Sequence, residues 1–338
     1  MSGTSAVWPD GNGPPQISRS ERFATAYERC AARRWAVMAD HRPEPRVAPT
    51  RLPVTVILPV RREPAQVADL LPLLSDFERV IVVESDEDSC TRDVATEHGA
   101  DFRVFSWAGG YPKKRTWAAH SCDITTPWIL FLDADERPTP RFVEELRRTL
   151  PQTDAAGFWL TYDTVFLGKQ LRFGIPQRKL ALIRTGAGAY EAIDDPGWTD
   201  LDMEVHEHLI VDGTVRVVHA ALVHLDCKTI DAYVRRHNTY ATWEASRHAA
   251  LLSAPERWRE LTFRQRAKYR LLGSPVFPLI YFVLQYVVRL GFLDGGPGLR
   301  FALLKAGYFA QIGAKVAELR QRGVVAVGSD ASNSQPLA

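Results

Sequence analysis

The stretch WILFLDADERPTP, beginning at Trp128, ends an apolar run in Asp133, Ala134, Asp135 and Glu136. Three carboxylates in four residues repel one another unless a cation shares them, and oxygen donors of this kind suit a hard divalent ion. The plainer alternative is that the acids end a strand and favour the N-terminus of the next helix. Glu84 closes the run RVIVVE in the same manner, ahead of the polar SDEDSCT. A carboxylate there can accept from a ribose hydroxyl or a base, or the segment caps a helix through Asp88 or Ser89. In GGYPKKRTWAAH the Gly109-Gly110 pair precedes Lys113, Lys114 and Arg115. These cations suit a diphosphate beside a metal, or else form a solvated helix face.

Farther along, DMEVHEHLIVDG sets His206, Glu207 and His208 side by side. In a strand the two histidines share one face and Glu207 points to the other, and the HExxH spacing of a zinc helix is absent. Glu207 therefore reads as a general base, with a structural strand-edge residue as the alternative. His224 in LVHLDCKT is a candidate metal or phosphate ligand, or a hydrogen-bonded core histidine. Arg178, His206, His208 and His237 are further candidates for phosphate or acceptor contacts.

The elements that must position these residues begin with apolar runs at Val54, Arg79, Phe102 and Trp128, about 25 residues apart, the repeat of βαβ units. Continuous rather than alternating apolar character implies strands buried on both faces of a parallel sheet. Helical segments separate them, in PAQVADLLPLLS, after Ser89, in PKKRTWAAHSC and in PRFVEELRRTL. In such open α/β sheets ligands sit beyond the carboxyl ends of the strands, where Glu84 and Asp133 fall. From Ala156 onward GFWLTY, RKLALIR and LIVDGTVRVVH indicate mixed or antiparallel strands, the last a hairpin turning at Asp212-Gly213. Ile230, Tyr233, Val234, His237, Tyr240 and Ala241 recur at the spacing of an amphipathic helix. Six basic residues between Arg257 and Arg270 then lead into the apolar PVFPLIYFVLQYVVRLGF, Pro275 to Phe292, and a last helix to about Arg322. Before Val54, a helix over about Arg19 to Ala39 and an extended arm are expected. The closing GSDASNSQPLA is expected to be disordered.

The 338 residues carry 42 Lys+Arg against 40 Asp+Glu and are 46% hydrophobic. That is ample for one large domain or two moderate ones, and too balanced in charge for a protein that coats nucleic acid. The four cysteines, Cys30, Cys90, Cys122 and Cys227, form no CxxC pattern, which excludes a zinc ribbon or disulfide framework and fits a reducing compartment. The start lacks the basic-then-apolar order of a secretory signal, so a cytoplasmic protein is expected. The Pro275 to Phe292 stretch is broken by Pro278, Gln285 and Arg289 and is read as a helix in the headgroup layer of an anionic membrane, at the inner face of the plasma membrane, or as an ordinary packed helix. No glycine follows the first strand in VRREPAQV, which excludes a GxGxxG dehydrogenase and argues against a nucleotidyltransferase phosphate loop.

Taken in order, VTVILPVRRE, RVIVVESDEDSCT, GGYPKKRTWAAH, WILFLDADE and VHEHLIVDG resemble the family 2 glycosyltransferases of GT-A fold, in the bacterial branch that builds lipopolysaccharide core, capsule and exopolysaccharide. The likeness runs from Val54 to Ala245 and, more loosely, to GFLDG at Gly291. It implies an α/β GT-A domain over 51–228, with a nucleotide-sugar half to 150 and an acceptor half beyond. It also implies a helical, membrane-proximal region over 229–322, flanked by an extension over 1–50 and a tail over 323–338. The implied reaction is an inverting transfer from a nucleoside-diphosphate sugar, UDP being the first choice, to a glycan or polyprenyl-linked hydroxyl. A soluble acceptor, or a non-catalytic nucleotide-sugar-binding protein, is the alternative. Asp133 and Asp135 match the DxD-type motif that holds Mg²⁺ or Mn²⁺, Asp135 as the direct ligand and Glu136 completing DADE. Pro59, Val60, Glu84, Lys113 and Lys114 are implied as donor contacts together with Asp133 and Ala134, and Glu207 as the general base.

Overall fold

The computed structural model describes residues 51–322 except positions 88, 194, 196, 205, 206, 227, 228 and 260. The expected helix over Arg19 to Ala39, the tail over 323–338, Cys30, Cys227 and His206 lie outside the described residues. The first half reads β1 (Leu52–Val60), α1 (Pro64–Leu70), β2 (Phe77–Glu84), α2 (Thr91–Glu97), β3 (Asp101–Val104), α3 (Lys114–Ser121), β4 (Trp128–Phe131), β5 (Glu136–Arg137) and α4 (Pro140–Thr149). It continues through β6 (Gly157–Phe166), β7 (Lys169–Gln170), β8 (Gln177–Arg184), β9 (Gly188–Tyr190), β10 (Leu209–Val211), β11 (Val215–Val217) and β12 (Leu222–His224). The helical part holds α5 (Ile230–Ser253), α6 (Phe263–Leu272), α7 (Phe277–Phe282) and α8 (Gly295–Gln321).

The main sheet runs β3-β2-β1-β4-β8-β6-β12-β5, with β7 and β11 also on β6. Strands β1 to β4 are mutually parallel, as their unbroken apolar runs require: from Val54 to Val60 every β1 residue is buried. The one polar member, Thr55, meets Thr126 hydroxyl to hydroxyl at 2.7 Å, so its burial leaves nothing unsatisfied. Strand β8 enters antiparallel between β4 and β6, making the sheet mixed. Trp128 and Phe158 pack across this junction with tilted rings, centroids 5.6 Å apart. The fold is thus mixed α/β with C-terminal helices. Helix α4 shows the local logic: the Thr139 hydroxyl accepts from Phe142 N, Pro140 opens the helix, and Phe142, Val143 and Leu146 face the sheet.

The Asp212-Gly213 turn does not make the expected hairpin. Val211 stays antiparallel to β9, whereas Val215 leaves to pair in parallel with β6. A free β6 edge, available to the ladder hydrogen bonds of β11, outweighs the local turn preference. Nor do Glu207 and His208 lie in a strand; they precede β10 as loop.

Helices α5 and α8 pack on each other through Ala241, Ala245, Ile312 and Val316. Phe166 at the end of β6, Tyr233 of α5 and Phe301 of α8 join the helices to the sheet. His237 lies in this packing layer, away from the carboxylates: its Nδ1 meets the Tyr233 carbonyl at 2.9 Å, its ring stacks on Tyr233, and Lys305 approaches Nε2 to 3.3 Å. Burial, reinforced by Lys305, lowers its pKa to about 3. The unfolded chain holds a histidine near pH 6.5, so the neutral His237 contributes stability that is complete above pH 6.5 and lost as pH falls toward 3. Changing His237 to Gln should therefore flatten the acid limb, recovering roughly 2 kcal/mol of the stability lost between pH 7 and pH 5, measured by urea denaturation.

Candidate active site

Helix α3 starts with three consecutive cations, and its own N-cap residue, Lys113, supplies no side-chain cap. Glu204, nearly ninety residues on in sequence, supplies it instead. Its carboxylate accepts from Arg115 N at 2.9 Å, Thr116 N at 2.9 Å and Thr116 Oγ1 at 2.7 Å. These are the orphan donors of a helix N-terminus, where a negative charge is also favoured by the helix dipole. Each cation then finds its own partner from the same distant loop. Lys113 Nζ lies 2.8 Å from Glu207 Oε1 and 3.1 Å from Asp195 Oδ2, and Asp195 is further held by Trp243 Nε1 at 2.7 Å. Lys114 Nζ donates to the Val60 carbonyl at 2.7 Å and lies 3.2 Å from Asp202. Arg115 reaches the Glu204 carbonyl and the Asp133 carboxylate. Both lysines are buried in these pairs, so in this state they bind protein carboxylates rather than facing an open site.

The acids of DADE sit where the sheet predicts. Leu132 N still bonds the Ile57 carbonyl at 3.1 Å, after which the chain leaves the carboxyl edge of β4. Asp133 is held between Arg115 and Lys179, the latter at 2.7 Å. Burial would raise its pKa, but these two cations hold the carboxyl well below the usual carboxylate range. Glu136 is buried, accepts from Asp133 N at 2.9 Å through Oε2, and is pushed up by that burial. The short β5–β12 ladder sets Glu136 opposite His224, and Leu225 N bonds the Asp135 carbonyl at 2.9 Å. This register brings Asp135 Oδ2 to 3.6 Å from His224 Nε2 and 3.3 Å from Arg236. Against a burial penalty, His224 and Arg236 hold Asp135 at about 2. Conversely burial lowers His224, yet Asp135 outweighs it and raises the imidazole to about 9.

Asp135 and His224 thus stand together as an oxygen and a nitrogen donor, with Asp133 two residues back in the loop against its own two cations; carboxylate and imidazole are donors that Mn²⁺ and, less readily, Mg²⁺ accept. Among the described residues no three acids or histidines already surround one point. The donors fit a divalent ion that replaces the His224 proton and is completed by ligand oxygens; Asp135 and His224 would hold it, with Asp133 alongside.

The remaining candidates separate cleanly. Pro59 and Val60 end β1 in the buried layer, with Val60 beside Glu84 in register. Glu84 is fully buried, and its oxygens take hydrogen bonds from Arg62 N, Ser85 N, Ser89 Oγ and Thr91 Oγ1. In this state it shapes the loop after β2 rather than presenting a bare acceptor. Ala134 is buried and gives its carbonyl to Arg137 at 2.6 Å. Arg178 is exposed on β8, while its neighbour Lys179 reaches Asp133, because successive strand residues face opposite ways. His208 is tied to Glu191 at 3.1 Å, away from the DADE loop. Lys179, Arg236 and the acids Asp195, Asp202 and Glu204 were not singled out from sequence. Strand alternation could have chosen Lys179 over Arg178; for the distant acids no local signal exists.

No family model matches the chain. Among solved structures it is similar to a mannosyltransferase from Pyrobaculum calidifontis in complex with GDP-Man and Mn²⁺, at 14% identity and TM-score 0.44 over 88% of this chain and 97% of that one. It is similar to glucosyl-3-phosphoglycerate synthase from Mycobacterium tuberculosis in complex with Mn²⁺, UDP and glucosyl-3-phosphoglycerate, at 18% identity and TM-score 0.33 over 60% of this chain and 84% of that one. A third is S. aureus TarS 1-349 with UDP-GlcNAc, at 13% identity and TM-score 0.36 over 80% of this chain and 92% of that one. At these identities and TM-scores, residue roles follow from this chain's own site alone.

Removing the distant cap should be costly. Glu204→Ala leaves the buried Arg115 N, Thr116 N and Thr116 Oγ1 without their acceptor and is expected to lose about 3–5 kcal/mol. Glu204→Gln, which keeps an acceptor oxygen, should lose about half as much; equal stability of all three proteins in urea would contradict the role given to Glu204.

Proposed function

We propose that this protein is a metal-dependent, inverting glycosyltransferase that moves a sugar from a nucleoside-diphosphate donor, UDP first among them, to a hydroxyl of a cell-surface glycan or lipid-linked acceptor. The observation that carries the reading is the Asp135–His224 pair beside Asp133 at the carboxyl edge of a parallel sheet, the edge at which nucleotides bind in such sheets. The order of sequence motifs from Val54 to Ala245 supports it.

A divalent ion bound there would neutralise the diphosphate and so stabilise its departure. The chain's own cations add to that. Arg115, Lys179 and Arg236 already stand against Asp133 and Asp135, and a diphosphate arriving at the same place would share them, taking up charge as the C1–oxygen bond lengthens. The acceptor hydroxyl needs a base, because its own pKa lies far above neutrality. Glu207 is assigned that role: it takes the proton as the hydroxyl oxygen attacks C1 from the face opposite the leaving group, and Lys113 orients its carboxylate. No covalent enzyme intermediate is needed.

The burial of Glu207 against Lys113 favours a second reading, a nucleotide-sugar-binding protein in which Glu207 is purely structural. Release of nucleoside diphosphate from UDP-, GDP- and dTDP-sugars with Mn²⁺ separates the two. Asp135→Ala is expected to lower turnover at least about a hundredfold. Glu207→Gln should cut kcat by about 10²–10⁴ with donor affinity unchanged; normal turnover in Glu207→Gln would remove the base assignment.

A further inference from the structure

Among the described residues the segment from Val276 to Leu293 carries the densest run of exposed large apolar side chains, while Phe277 and Tyr281 pack on Phe309 of α8. Helix α7 contains no buried residue. It continues into a π-helical turn, Val283–Val288, and then a tight turn at Gly291–Asp294. Val276, Leu279, Ile280, Val283, Leu284, Val287 and Val288 are all exposed, Leu279 and Val288 at 62%. Their spacing of three and four residues draws one continuous stripe along a single helical face. Among the described residues no single helix is long and apolar enough to span a membrane, and the segment meets Gly291–Gln321 at a 70° bend.

The polar residues that interrupt this stretch are used on its other side. Buried Gln285 accepts from Ile175 N at 2.8 Å, and the Arg289 carbonyl accepts from Gly174 N at 2.9 Å. Buried Asp294 accepts from Arg172 N at 3.1 Å and Phe173 N at 3.0 Å, and its carbonyl takes Lys169 Nζ at 2.6 Å. All five bonds fix one stretch, Lys169 at the start of β7 and the loop over residues 171–176, and that loop feeds directly into β8. The apolar stripe is therefore fastened to the strand that carries Lys179 to Asp133.

Charge identifies what the stripe meets. Between Leu261 and Arg322 the sequence has ten Lys+Arg and two acids, and one of those acids is the buried Asp294. Exposed Arg270 precedes the stripe and exposed Arg289 closes it, with exposed Arg300 shortly beyond. A second copy docking on the same face would set like charges against like. An anionic bilayer offers apolar depth below a negatively charged headgroup layer, matching both halves of the pattern.

We infer that α7 and its π-helical continuation lie in the plane of an anionic membrane surface, with the Leu279–Val283–Val287 stripe toward the acyl chains, and hold the β8 edge of the site against that surface. Docking itself stands without any enzymatic role. Its consequence, that the acceptor hydroxyl belongs to a membrane lipid or lipid-linked glycan, rests on the transferase reading above.

The test is flotation of the full chain with phosphatidylcholine vesicles, with and without about 30 mol% phosphatidylglycerol, ample anionic charge for a basic surface. The protein should float with anionic vesicles at low salt, fall back at high salt, and stay below with neutral ones. Leu279→Glu/Val283→Glu, at exposed positions, should lose flotation at least about tenfold with an unchanged thermal midpoint, and Arg270→Glu/Arg289→Glu should weaken it about fivefold per charge removed. Wild-type protein that stays below anionic vesicles overturns the inference, as does flotation unaffected by the Leu279→Glu/Val283→Glu change. So does a wild-type dimer that the same change converts to monomer, because a second copy then covers the stripe. Flotation without any donor-nucleotide binding would leave docking intact and remove only the transferase reading.

Discussion

Three consecutive cations at the start of α3, Lys113, Lys114 and Arg115, are buried, and buried charge is tolerated only when it is paired and hydrogen-bonded. Their partners come from one stretch of chain between Asp195 and Glu207, together with Asp133 and the Val60 carbonyl. That requirement presses an otherwise irregular loop onto the carboxyl edge of the sheet. The helix end adds to it, since Glu204 completes the N-terminus of α3 from outside the helix. Neither the loop nor the helix start has its polar groups satisfied without the other.

The same arithmetic of charge governs the DADE loop. Asp133 is balanced by Arg115 and Lys179, and Asp135 by His224 and Arg236. A site built this way is compact without ligand, yet it holds both signs of charge that a metal diphosphate would need: carboxylates for the ion, guanidinium and ammonium groups for the phosphates. Exchange of partners, rather than creation of new charge, is what binding would require of it. Because His224 carries its proton up to about pH 9, admitting a metal there also releases a proton, and affinity should rise with pH.

Much of this is legible in the sequence. The four parallel strands are announced by unbroken apolar runs, because both faces of each are covered, and Asp133 and Asp135 are placed by the strand that precedes them. His224 was readable as a candidate, though its partner was not, since the β5–β12 register that joins it to Asp135 spans nearly ninety residues. Two cations were missed by a single position: Arg178 was singled out where Lys179 reaches the site, and His237 where Arg236 does. In the strand, alternation decides which neighbour faces inward. On α5 the packing of α8 takes His237 into the core and leaves Arg236 beside Asp135 and Asp226. The Asp212-Gly213 turn was legible as a turn and misleading as a hairpin, because the choice of partner strand is a property of the whole sheet.

The central claim is that Asp135, His224 and Asp133 form a metal-assisted diphosphate site, and calorimetric titration addresses it without an acceptor. UDP, GDP and dTDP would each be titrated into the full chain at pH 8, with and without Mn²⁺. One nucleotide is expected to bind only with the metal, and His224→Gln should weaken that binding at least about tenfold, since losing even an outer-shell partner of a metal ligand costs about that much. Failure of all three nucleotides to bind, or binding indifferent both to Mn²⁺ and to His224→Gln, would contradict the account.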